Sequence, residues 1–269
     1  MEGNVNLNPE NGNFSSEKVN ELLNKDQVTK SSFYSKIFLY FGLGILLTSV
    51  ITILLSWIFQ VTMINNGNYD TFLITYLVVF FASFIVLLIL NFTIMKRVAT
   101  NGKSILVPYL LYSAVYGVLF STIAALIQDP MVLGISLGMT ALIFLSMCGF
   151  GYLSHNRISS LGRIIGTLFI AVALLAIVNL VILPFALFGG NYETYFAYGM
   201  IYWIIEAVIL VIFILMTAYD FARIRKIAES GAQTNNIALY CALTIYSDFI
   251  AIFIQILRFV LIIAANRRR

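Results

Sequence analysis

The sequence predicts an all-α membrane protein with seven transmembrane helices. Hydrophobic residues make up 61% of the 269 and charged residues only 10%. Mean hydropathy is +0.94. The apolar residues gather in seven long runs without alternating polarity. Water-soluble domains run nearer to about 45–50% apolar and about 25% charged. A surface with so few charges could not stay dissolved. That excludes an ordinary soluble globule, a disordered chain and a nucleic-acid-binding domain. In hydrocarbon only helices and closed barrels satisfy their own backbone, and runs that do not alternate are helices.

The elements follow in order. A membrane helix needs about 20 mostly apolar residues. The runs are 33–58, 71–95, 104–127, 131–153, 162–188, 195–219 and 237–264. Turn formers stand between them: Asn65, Asn66, Gly67 and Asn68, then Asn101 and Gly102, Asp129 and Pro130, and Gly189, Gly190 and Asn191. Residues 33–264 therefore form one polytopic unit, and 265–269 a short basic tail. Residues 1–32 hold seven Asn, five acids and three Lys, which reads as a disordered or loosely amphipathic cytoplasmic tail. No cleaved signal peptide is expected ahead of the first span. Pro108 and Pro184 are expected to kink spans 3 and 5, and Gly134 with Gly138 forms a GxxxG that permits close helix packing. Trp57 and Trp203 suit interfacial belts, and His155 falls in a solvated loop. Cys148 and Cys241 lie in separate runs with no CxxC, which suggests neither a disulfide framework nor a zinc site.

Lysine and arginine set the orientation. Lys18, Lys25, Lys30 and Lys36 precede or open span 1, and Lys96, Arg97 and Lys103 join spans 2 and 3. Arg157 and Arg163 join spans 4 and 5, and Arg223, Arg225 and Lys226 join spans 6 and 7. These are twelve of the sixteen basic residues, and the other three loops carry Asp70, Asp129 and Glu193 instead. The N-terminus is expected in the cytoplasm of a cell-membrane, multi-pass protein. Seven full spans then put Arg267, Arg268 and Arg269 outside, against the charge rule. Either the tail is tolerated there or the last segment is re-entrant. A full span buried among the others is the favoured reading.

Ionisable groups at membrane depth are costly unless paired or wetted, so they are functional candidates. Glu206, Asp220, Asp248 and Arg258 qualify. With a turn at 229–236, Asp220 and Asp248 lie at nearly the same depth on antiparallel neighbours, within roughly 5 Å. Two carboxylates so placed cannot both ionise cheaply and share a proton. Such a pair suits a pH-sensitive latch, a cation site or an aspartyl catalyst; a plain clamp between spans 6 and 7 is the structural alternative. Glu206 stands close to four helical turns before Asp220, on nearly the same face. It could equally pair with a Ser or Tyr elsewhere. Cys241, Thr244, Asp248 and Gln255 form a polar stripe at helical spacing on span 7. Lys96 and Arg97 end span 2 where they could reach the pair, or simply anchor the helix in the interface.

Tyr219 and Asp220 with Ile224, Ala238 and Leu239, the run Ile245, Tyr246, Ser247, Asp248, Phe249, Ile250, and Phe253, Leu257 and Arg258 carry a resemblance. On these residues the chain resembles the Bax inhibitor-1 (transmembrane Bax inhibitor motif) family, in a bacterial-type form. The resemblance implies a central seventh helix surrounded by two three-helix layers. It also implies a pH-regulated calcium leak in which paired aspartates, here Asp220 and Asp248, sense protons. A basic latch ending span 2 would be Lys96, with Arg97 beside it. Some bacterial members carry an acid inside span 2, and residues 71–95 have none.

The expected function is a pH-sensitive cation leak, for Ca²⁺ first, gated by the aspartate pair and lined by Glu206, Thr244, Gln255 and Arg258. Ca²⁺ takes about 6–8 oxygen ligands, and Asp220 and Asp248 with hydroxyls such as Thr244 and Ser247 supply too few for tight binding. Weak binding fits a conduit that must release its ion. No cofactor is expected beyond transient Ca²⁺. The partners are lipid, Ca²⁺, protons and membrane proteins, without nucleic acid. The main alternative is a non-conducting regulator that binds membrane proteases or cell-death factors. A weaker one is an intramembrane aspartyl protease, but the Gly-x-Gly-Asp of those enzymes is replaced here by Tyr246, Ser247 and Asp248. The intramembrane His of a serine protease and the span-7 Lys of a retinal protein are both missing from these spans. The expectation is therefore of a protein that is not an enzyme.

Overall fold

In a computed structural model of the protein, each of the seven apolar runs is a helix. They are α1 (Ser16–Phe59), α2 (Tyr69–Ala99), α3 (Leu106–Leu126), α4 (Pro130–Leu153), α5 (Ile158–Phe188), α6 (Tyr192–Glu229) and α7 (Asn235–Arg267). A π-helical turn, Gln60–Ile64, finishes α1. The structure describes residues 16–100, 103–127, 130–153, 158–188, 192–231 and 234–267, with side chains except at 16–28, 158, 159, 161, 179–188, 192–198 and 265–267. Asn101, Gly102, Asp129, His155, Arg157, Gly189, Gly190, Asn191, Arg268 and Arg269 thus lie outside the described residues, as do the side chains of Lys18, Lys25, Pro184, Glu193 and Arg267. Among the described residues, six helices are long and apolar enough to cross a membrane, and α5 adds the shorter apolar stretch Gly162–Val178.

Burial separates the helices. Among the described residues of α2 only Phe72, Ser83 and Ile94 are buried. Its Leu77, Phe81, Phe84 and Phe92 face outward, an exterior suited to hydrocarbon and not to water. In α7, by contrast, Ala238, Ala242, Ile245, Tyr246, Ile252 and Ile256 are all within the core. Where a helix is buried, it must point its polar groups at its neighbours. α1 and α2 pack on α3, and α4 and α5 pack on α6. α7 packs on α1, α4 and α6, with lighter contact to α2 and α3.

Small residues bring the helices close, at positions other than the GxxxG. A Cβ on Gly151 would run into the Ala218 carbonyl of α6, and one on Gly44 would meet the Tyr109 phenol of α3. Gly134 and Gly138 face open space, so they join no pair of helices in this chain. Pro108 does not kink α3. It sits in the first turn, where a missing N–H leaves no intrahelical bond broken. α5 continues as helix through residue 184.

Turn chemistry fixes the helix ends. Gly67, after the π-turn, has φ 74°, and Gly231, after α6, has φ 75°, a region other residues rarely adopt. Thr234 caps α7 by accepting from the Ile237 N–H at 3.3 Å. The basic ends of the helices are tied together. Lys36 Nζ donates to Asn235 Oδ1 (3.0 Å), and the Ile105 N–H donates to Asn236 Oδ1 (3.4 Å). Arg225 Nη1 donates to the Tyr152 carbonyl (2.6 Å), and its guanidinium lies 4.6 Å over the Tyr152 ring. Helix ends from α3, α4, α6 and α7 therefore meet near α1 at one end of the bundle.

The polar tail assigned to residues 1–32 is helical from Ser16, where α1 begins well before its apolar part. A first helix that starts in polar sequence gains most of its stability from the packed half that follows. The last segment is one unbroken helix of 33 residues, about 50 Å, long enough for the full span favoured from the sequence.

Candidate functional site

Asp220 on α6 and Asp248 on α7 are both buried, at 3% and 6% exposure. Their helices pack side by side, and the two carboxyl groups are in hydrogen-bonding contact. An ionised carboxylate is an acceptor only, so that contact needs one proton between the pair. Apart from that mutual contact, the buried Oδ2 of each residue has no hydrogen-bond partner among the described residues.

A crevice of about 10 Å³ opens on Asp220, lined also by Arg223, Tyr240, Cys241 and Thr244. That is close to the space of a single water. Arg223 is exposed at its edge and acts electrostatically on Asp220. The signal for Arg223 was present in the sequence: it stands three residues after Asp220, on the same helical face. The hydroxyls expected to help bind an ion have other partners. Thr244 Oγ1 donates to the Tyr240 carbonyl (3.0 Å), and Ser247 Oγ lies 3.4 Å from Tyr112 Oη.

Lys96 and Arg97 are not at the pair. Lys96 is exposed, and Arg97 Nη1 donates to the Ser104 carbonyl (3.1 Å) ahead of α3. Among the described residues, neither makes an ion pair with Asp220 or Asp248. α2 packs chiefly on α3, and Arg97 is engaged at the α2–α3 connection.

Glu206 finds its partner across the same seam. Arg258 Nη1 donates to Glu206 Oε1 at 2.9 Å. Glu206 is buried while the Arg258 side chain is 53% exposed, so the pair has an enclosed acid and an accessible cation. Gln255, one turn before Arg258, is buried at 6% exposure. Cys241 is a buried free thiol. Among the described residues, the buried side-chain oxygens without a hydrogen-bond partner belong to Glu206, Asp220, Asp248 and Gln255. Glu206 and Asp220 belong to α6, and Asp248 and Gln255 to α7, two helices that pack together.

Sequence reasoning missed the group that holds α7 in rotation. Tyr246 Oη lies 2.6 Å from Thr48 Oγ1 of α1, which also donates toward the Ser113 carbonyl of α3 (2.9 Å). A Thr and a Tyr so far apart in sequence give no local signal.

The family model described as inhibitor of apoptosis-promoting Bax1 matches residues 30–267. An uncharacterised membrane protein of Streptococcus pyogenes serotype M1 is 25% identical over 87% of this chain and 94% of its own length. An uncharacterised protein of Borreliella burgdorferi is 28% identical over 86% of this chain and 91% of its own. The inner membrane protein YbhL of Escherichia coli is 27% identical over 60% of this chain and 62% of its own length. No solved structure matches the chain.

Proposed function

Because the chain belongs to the Bax inhibitor-1 family, we propose that it is a pH-sensitive cation leak of the cell membrane, carrying Ca²⁺ first and gated by the proton that Asp220 and Asp248 share. The observation that carries this reading is the placement of unpartnered oxygens. Buried polar atoms are almost always hydrogen-bonded, and each exception needs a reason. Here Glu206 Oε2, Asp220 Oδ2, Asp248 Oδ2 and Gln255 Oε1 all belong to the seam between α6 and α7. Two acids sharing one proton, with further carboxyl and amide oxygens on the same two helices, favour a passing cation over a structural clamp, for which neutral side chains would serve.

In this reading α7 is the centre of two three-helix layers, α1–α3 and α4–α6, and its packing on both groups supports that arrangement. The gathered basic helix ends lie in the cytoplasm by the positive-inside rule, and the N-terminus with them. Asp220 and Asp248 form the proton-sensing, weak Ca²⁺ site. Glu206, Thr244 and Gln255 line the path, and Arg258 stands beside Glu206 as its counter-charge. The basic group that answers the pair is Arg223; Lys96 and Arg97 close the α2–α3 connection instead. The chemistry is passage of an ion, without a bond made or broken and without a resident cofactor.

With the proton in place the two carboxyls hold each other across the seam. Loss of that proton as pH rises leaves two like charges, which repel and offer their oxygens to a cation. Purified protein in vesicles loaded with a calcium dye tests the function. Entry of Ca²⁺ that depends on the protein alone is expected. No flux over empty vesicles, together with a stable complex with a membrane protease or death-regulating partner, would replace the conduit by a non-conducting regulator.

A further inference from the structure

A crevice of about 240 Å³ lies between α2, α3 and α7, lined by Tyr76, Tyr116, Ile254, Leu257, Arg258 and Leu261 among others. We propose that it binds one anionic phospholipid, with the phosphate on Arg258 and a stretch of acyl chain along the apolar walls. This does not depend on the cation path.

Charge is the first argument. The lining includes no acidic side chain. Arg258 is paired with Glu206, but only the cation of that pair is accessible: the guanidinium side chain is half exposed and Glu206 is buried behind it. A guanidinium has five N–H donors, and one nitrogen, Nη1, is engaged by Glu206. The remaining fork meets no protein acceptor among the described residues and has the planar geometry that suits phosphate.

Depth is the second. α7, Asn235–Arg267, is 33 residues long. That is about 50 Å against a hydrocarbon thickness of about 30 Å, which leaves roughly 10 Å at each end when centred. Arg258 stands nine residues inside the Arg267 end, roughly 14 Å, and its long side chain spans the difference to the headgroup level. Tyr76 stands seven residues inside the other helix end that meets this level, Tyr69 of α2. The phenol and the guanidinium therefore line the same rim. Size is the third. An apolar cavity of about 150 Å³ takes up benzene, so this crevice has room for several methylenes.

A second crevice of about 250 Å³, between α1, α3, α4 and α7, supplies the control. Its lining, which includes Leu137, Phe249 and Phe253, carries no charged side chain. It should accept acyl chains of any headgroup.

The chain has two Trp, Trp57 and Trp203. Replacing both by Phe and adding Tyr76→Trp leaves one indole, in the charged crevice. Adding Leu137→Trp instead leaves one in the uncharged crevice. Each protein is placed in phosphatidylcholine vesicles holding an equal small fraction of brominated phosphatidylglycerol or brominated phosphatidylcholine, and indole quenching is compared. At Tyr76→Trp the anionic lipid should be preferred about fivefold, the contribution of one basic side chain near a bilayer surface. The ratio should fall to about one with Arg258→Gln, and should be about one at Leu137→Trp in either case. Leu261→Phe, which fills the crevice and leaves the ion pair intact, should lower quenching by phosphatidylglycerol and reports even where Arg258→Gln fails to fold. Equal quenching by the two lipids at Tyr76→Trp, a preference that survives Arg258→Gln, the same preference at Leu137→Trp, or no effect of Leu261→Phe would each overturn the proposal.

Discussion

Tyr246 of α7 holds its phenol oxygen 2.6 Å from Thr48 Oγ1 of α1, two residues before Asp248 meets Asp220 of α6. Two residues turn a helix by about 200°, so a bond toward α1 aims Asp248 at the opposite neighbour. The tyrosine is fully buried. Removing its hydroxyl with Tyr246→Phe leaves Thr48 the Ser113 carbonyl to donate to. The expected cost is about 1 kcal/mol, one buried hydrogen bond, read as a lower melting temperature in detergent. Because the bond fixes rotation, the variant should also alter any pH-dependent flux; a variant with wild-type stability would show that the contact contributes nothing.

Glycine substitutions separate the close approaches the fold uses from the one it does not. Gly151→Ala puts a methyl against the Ala218 backbone, which cannot retreat as a side-chain tip can. It should cost about 1–3 kcal/mol through overpacking between α4 and α6. Gly134→Ala with Gly138→Ala enters open space and should stay within about 0.5 kcal/mol of wild type. Thermal melts of the three proteins check this. The reverse order would mean that the GxxxG packs against something this chain alone does not provide.

The Glu206–Arg258 pair should respond unequally to loss of its members. Arg258→Ala strands a buried carboxylate, a change that costs about 3–5 kcal/mol when the partner of a buried charge is removed. Glu206→Gln leaves a guanidinium already half in contact with the surroundings, and the amide oxygen can still accept from it. Its cost should be below about 1 kcal/mol. Paired melts of the two variants decide it, and equal losses would contradict the burial asymmetry.

The helices and the aspartate pair were legible because both rest on period and length. Seven apolar runs set the helix count, and a short turn between the last two helices brings Asp220 and Asp248 to one depth whatever the details. Relationships that depend on which helices pack together were not legible. Lys96 and Arg97 end α2 at the right level, but depth says nothing about the neighbour, and α2 packs on α3. Arg258 and Glu206 were each visible as intramembrane charges, but their pairing depends on how far two long side chains reach. The GxxxG misled for a related reason: the motif marks a surface that can be approached, and Gly151, with no motif around it, is the one α6 approaches. The polar residues 16–32 lack a large apolar run, so nothing local marked them as the start of α1.

The proton shared by Asp220 and Asp248 is tested most directly by the pH profile of Ca²⁺ flux in dye-loaded vesicles, wild type against Asp248→Asn. An amide can donate to the remaining carboxylate at any pH, so the variant keeps the protonated form of the contact. Wild-type flux should rise as pH rises and the shared proton is lost, and the variant should stay low and flat across the series. An Asp248→Asn profile that rises with pH as the wild type does would contradict the account.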